Sequence, residues 1–136
     1  LYFFICYFYG VNMKEFDDLV EIMDKLRSED GCPWDKEQTL KTMRKHLLDE
    51  AQEVIEAIDK NDMENLKEEL GDLLFNIIFV YRIAKEKNLF SINESLEQIK
   101  DKLIRRHPHI FGDEKIDNAE DVLKRWNEIK KEEKNK

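Results

Sequence analysis

An all-α fold is what this sequence predicts, and three observations predict it. Charged residues make up 40% of the 136, and the mix of Lys, Glu, Leu and Ile favours helix over strand. Four glycines and two prolines leave few breaks along the chain. Apolar residues recur at spacings of three and four, the period of a helix with one buried face. A 41% apolar share over this length suits one core, so a compact bundle of four to five helices is expected over residues 13–136.

The chain opens on LYFFICYFYG, which is apolar and aromatic. It is too short to span a bilayer and lacks both a basic leader and a small-residue cleavage site, so it does not read as a targeting or membrane segment. With Leu1 first and a clear helix from Met13, residues 1–12 are expected to be an extension outside the domain, with an extra strand or packing arm as the alternative. From Met13 to Ser28, Phe16, Leu19, Val20, Met23 and Leu26 mark the first helix. The stretch SEDGCPWD breaks it at Gly31 and Pro33, and Asp35 with Gln38 is a capping pair for a second helix from about Lys36 to Asp59.

A short KND turn follows, and Asn61 with Glu64 reads as the cap of a third helix to about Lys87. Its second half, LLFNIIFVYRIA, is apolar on nearly every side and belongs in the middle of a bundle. Ser91 with Glu94 opens a fourth helix to about Arg106, HPHIFGDEKID reads as a loop, and Asn118 caps a last helix through Trp126. The closing KKEEKNK reads as a fraying polar tail. No internal repeat or low-complexity tract interrupts this order.

The net charge of −8 argues against a general nucleic-acid binder, which needs a surplus of Lys and Arg to displace counterions. Cys6 and Cys32 lie far apart with no C-x-x-C, which fits a reducing cytoplasm rather than a zinc knuckle or a disulfide framework.

Glu50 and Glu53 project from one face of the second helix, and Glu69 and Asp72 do the same on the third. A short turn makes these helices antiparallel neighbours, which brings the two pairs together. That much uncompensated charge is costly, and a cation would resolve it. Helical di-iron sites need Glu-x-x-His, but Glu53 is followed at the third position by Glu56 and Asp72 by Phe75. Oxygen ligands alone favour Mg²⁺ or Mn²⁺. Asn76, one turn after Asp72, is a further candidate for the metal shell. Spacing alone leaves an ordinary acidic solvated face equally open.

Five segments assembled from this reading resemble the MazG family of nucleoside triphosphate pyrophosphohydrolases, in the all-α NTP pyrophosphatase superfamily. They are GCPWDKEQT from Gly31, DEAQEVIEAI from Asp49, EELGDLLFNIIF from Glu68, KLIRRHPHIF from Lys102 and RWNEIKKEE from Arg125. The resemblance covers nearly all of Phe16 to Lys131. It implies metal ligation by Glu50, Glu53, Glu69 and Asp72, hydrolysis of a nucleoside triphosphate to monophosphate and pyrophosphate, and a homodimer. The family's motif begins with Glu where this chain has Asp49. That position is the implied water-orienting group, with Glu53 the second choice.

Lys102, Arg105 and Arg106 are the densest positive charge beside the predicted loop. Lys102 and Arg106 share a helix face and are candidates for the triphosphate, whereas Arg105 points elsewhere and reads as structural. Trp34 and Trp126 are candidates for stacking on the base, and Lys130, one turn after Trp126, for phosphate. His107 and His109 read as loop-fixing or capping groups, and His46, one turn before Glu50, either borders the site or is a satisfied packing residue. Two rival readings stand beside the hydrolase. One is a noncatalytic helical module that binds nucleotides or a protein through the acidic seam, and the other is a related enzyme restricted to dUTP or noncanonical nucleotides.

Overall fold

Phe16, Leu19, Val20 and Met23 line one face of the first helix, α1 (Met13–Leu26), and that face enters the core. The computed structural model describes residues 13–135, so the apolar extension expected over residues 1–12, with Cys6, lies outside the described residues. After α1 the Cys32 N–H returns to the Leu26 carbonyl at 2.8 Å. A Cβ on Gly31 would collide with that carbonyl oxygen, so only glycine fits the approach.

Pro33 then opens a short helix, α2 (Pro33–Glu37), in the position that proline favours. This corrects the expected single helix from Lys36. Asp35 lies inside α2 and is buried, and Gln38 ends that helix, so the two do not form the expected cap. The capping role passes to Thr39, which accepts the Thr42 N–H at 3.2 Å while its own N–H donates to the Thr42 hydroxyl at 2.9 Å. α3 (Leu40–Asp59) starts there.

Asn61 adopts the left-handed region at φ 52°, which an asparagine tolerates. Its N–H reaches the Ile58 carbonyl at 3.0 Å and the Asp62 N–H reaches Ala57 at 2.9 Å, closing α3 in a Schellman turn. With Asn61 used that way, Asp62 rather than Asn61 caps α4 (Met63–Glu86), accepting the Asn65 N–H at 3.1 Å. Asn88, at φ 53°, closes α4 by the same device.

α3 and α4 pack as an antiparallel hairpin and α1 lies against α4. Their core joins Met23 from α1, Met43 from α3 and Ile78, Phe79 and Ile83 from α4. α4 is not enclosed on every side as its sequence suggests: Leu70, Leu74 and Ile77 are 50%, 40% and 38% exposed. Arg27 pins α1 to α4, its Nε and Nη2 donating to the Glu86 carboxylate at 2.9 and 2.7 Å. Its Nη1 donates to the carbonyls of Asp35 and Gln38, and its guanidinium covers the Phe79 ring.

Contacts divide the chain after Leu89 into two compact units. The second contains α5 (Ile92–Arg106), α6 (Pro108–Phe111) and α7 (Ala119–Lys134). Ser91 and Glu94 form the expected capping box, and Asn118 caps α7 as expected. Two expectations fail here. Pro108 starts a short helix inside the expected loop, and α7 continues past Trp126 to Lys134, so most of KKEEKNK is helical. The acids of that stretch are held by arginines: Glu132 by Arg125, and Glu133 by Arg105 and Arg106. Among the described residues there is no strand, and no helix is long and apolar enough to cross a membrane.

Candidate functional site

The α3–α4 hairpin carries two carboxylates on each arm, Glu50 and Glu53 three apart on α3 and Glu69 and Asp72 three apart on α4. Glu50, Glu69 and Asp72 each offer a carboxylate oxygen within 4.8 Å of the others. Glu53 stands beside this triad: its carboxyl faces that of Glu69, and its charge acts on Glu50. Three of the four expected ligands, Glu50, Glu69 and Asp72, thus meet in one cluster, and Glu53 adjoins it.

The electrostatics show the cost of that convergence. Partial burial, followed by the charges of Glu53, Asp72 and Asp49, raises the Glu50 pKa above the usual carboxylate range. Glu69 is raised by desolvation and by Glu53 first, then by Glu50 and Asp72. A cation would remove these penalties, and an all-oxygen donor set on two rigid helices fits a hard divalent ion.

Asp49, the expected water-orienting residue, is engaged elsewhere, accepting from Lys45 Nζ at 2.6 Å across one turn of α3. His46 borders the carboxylates, one of the two alternatives its sequence position leaves open. Its positive form would favour ionised Glu50, and its ring meets Trp34 edge to face at 5.4 Å. Trp34 itself is 53% exposed, an aromatic surface in the same unit as the carboxylates.

Lys102, Arg106, Trp126 and Lys130 belong to the second unit. Arg106 is gripped by Glu133, with Nη2 to Oε2 at 2.6 Å, and its guanidinium stands 5.2 Å from the Trp126 ring centre. Lys102 is half-buried on α5 and Lys130 is exposed on α7. Arg105 does not point away from Arg106: both converge on Glu133, which lies in the stretch expected to fray. His107 does fix the loop, joining α5 to α6 with its Nδ1 2.6 Å from the Leu103 carbonyl oxygen.

Residues 38–111 match a family described as the MazG nucleotide pyrophosphohydrolase domain. Over 122 residues the chain is 48% identical to a nucleoside triphosphate pyrophosphohydrolase of Escherichia coli (strain K12), covering 89% of this chain and 46% of that protein. It is 45% identical over 128 residues to the nucleoside triphosphate pyrophosphohydrolase/pyrophosphatase MazG of Thermotoga maritima, covering 91% of this chain and 49% of that one. The chain therefore spans about half the length of these curated relatives. The crystal structure of a mazG-related protein from Thermotoga maritima superposes with a TM-score of 0.71 at 35% identity, over 85% of this chain and 98% of that one.

Proposed function

The chain belongs to the MazG nucleotide pyrophosphohydrolase family, and from that membership we propose that it is a Mg²⁺-dependent nucleoside triphosphate pyrophosphohydrolase. It would cleave an NTP between the α and β phosphates, leaving a nucleoside monophosphate and pyrophosphate. The observation that carries this reading is the convergence of Glu50, Glu69 and Asp72 within 4.8 Å, with Glu53 alongside. These four would hold Mg²⁺, or Mn²⁺ in its place. When bound, the ion supplies neutralisation of triphosphate charge and polarisation of the attacked phosphorus.

The chain's own residues supply the rest. Asp49 accepts a proton from the attacking water, with Glu53 next in line, and no covalent nucleophile is needed. The Asp49–Lys45 contact is an exposed i, i+4 pair that water and salt screen, too weak to withhold Asp49 from a bound substrate. Lys102, Arg106 and Lys130 are assigned to phosphate oxygens, and Trp34 and Trp126 to the base. The exposed apolar residues of α4 support a homodimer, and a nucleotide substrate and a free Cys32 support a cytoplasmic location.

Pyrophosphate release from a panel of NTPs, dUTP and noncanonical nucleotides tests the reading. Turnover is expected only with Mg²⁺ or Mn²⁺, and Glu50→Gln or Asp72→Asn should each lower it by at least about 100-fold. Wild-type turnover in either variant would sink the ligand assignment. Asp49, shorter than the family's Glu at the position of the base, leaves one second reading, nucleotide binding without hydrolysis, and binding with no pyrophosphate release at any metal concentration would establish it.

A further inference from the structure

Glu133 is neither a candidate metal ligand nor a candidate base, yet it is the most heavily used carboxylate of the second unit. Its Oε2 accepts from Arg106 Nη2 at 2.6 Å and Nε at 3.2 Å, and its Oε1 accepts from Arg105 Nε at 2.6 Å. Trp126 lies two turns earlier on the same stripe of α7. The Arg106 guanidinium is thereby held between an aromatic face 5.2 Å away and a carboxylate. His107 closes one edge of the Trp126 ring at 5.0 Å and is itself tied to the Leu103 carbonyl.

This is no ordinary surface ion pair. The Arg106 and Glu133 side chains are only 13% and 22% exposed. The contact is a two-nitrogen grip rather than a point charge, and it joins α5 to α7. Nη1 of Arg106 donates to no acceptor among the described residues, so one corner of the guanidinium is left for a ligand. Two arginines share one carboxylate, so the trio keeps a net positive charge suited to an anion.

We propose that Glu133 is a positioning residue for nucleotide binding, holding Arg106 flat on Trp126 so that Nη1 meets a phosphate oxygen. This rests on the reading that Arg106 and Trp126 contact the nucleotide. A free arginine would lose side-chain freedom on meeting phosphate, and Glu133 removes that freedom before the ligand arrives.

The test uses the full chain in two assays, steady-state pyrophosphate release from ATP with Mg²⁺, and calorimetric binding of the α,β-methylene analogue of ATP. Glu133→Ala should raise KM, and weaken analogue binding, about tenfold through lost preorganisation, with kcat within about twofold. Glu133→Asp should recover part of the loss. In an Arg106→Ala background, Glu133→Ala should add nothing further. If Glu133→Ala unfolds the chain, the isosteric Glu133→Gln carries the same comparison.

Unchanged KM and analogue affinity in the Glu133 variants would overturn the positioning role, as would a loss that adds in full to that of Arg106→Ala. Analogue binding without any turnover in the wild type would instead sink the hydrolase reading and leave the positioning role standing on the affinity comparison.

Discussion

Asp49 is one methylene shorter than the glutamate that begins the family's motif, and in this chain its carboxylate rests on Lys45 at 2.6 Å. If it nonetheless orients the water, Asp49→Asn should lower kcat by about 10²–10⁴ with little change in KM, as loss of a general base does. Lys45→Ala should leave both constants near wild type, because an exposed pair of this kind is screened by water and salt and contributes little. Wild-type kcat in Asp49→Asn, with loss in Glu53→Gln, would transfer the role to Glu53. At this scale legibility followed distance along the chain. The meeting of Glu50, Glu69 and Asp72 could be read because i, i+3 spacing and a short turn are local rules. Glu133 could not, since its partners Arg105 and Arg106 lie on another helix and composition marks Glu133 only as one more surface acid.

Among the elements, α1 and α4 are joined by a charged pin as well as by the core. Arg27 is 7% exposed and its forked bond to Glu86 lowers that carboxylate's pKa to about 2, helped by Arg82 despite opposing desolvation. A folded pKa below the ordinary 4.5 adds stability that is complete above 4.5 and lost as pH falls through about 2. The melting temperature of the wild type should therefore exceed that of Glu86→Gln near neutrality, and the gap should close as the pH is taken down through that window. A gap that stays constant would assign the effect to packing. Element boundaries were legible where one signal stood alone, as at Ser91 and Asn118. They were not at Asp35, where a capping pattern lay inside a helix that Pro33 had already started, nor in α7, whose extension depends on arginines that hold its last acids.

For the molecule as a whole, the helical class was legible from period and composition, while the division after Leu89 was not, because no Gly- or Pro-rich linker marks it. Leu70, Leu74 and Ile77 follow the i, i+4, i+7 spacing of one helix face and stay open in the single chain. A homodimer burying that face should appear as twice the 16.4 kDa chain mass in light scattering, and Leu74→Glu with Ile77→Glu should convert it to monomer without loss of helical circular dichroism. A wild-type monomer would refute it. The hairpin that carries the carboxylates has a kinetic consequence as well. Glu50 and Asp72 stand on the two arms of a hairpin closed by a single tight turn, so the acidic cluster assembles with the hairpin itself, at the loop-closure cost of that one turn. Its mutual repulsion is then met in the step that closes the hairpin.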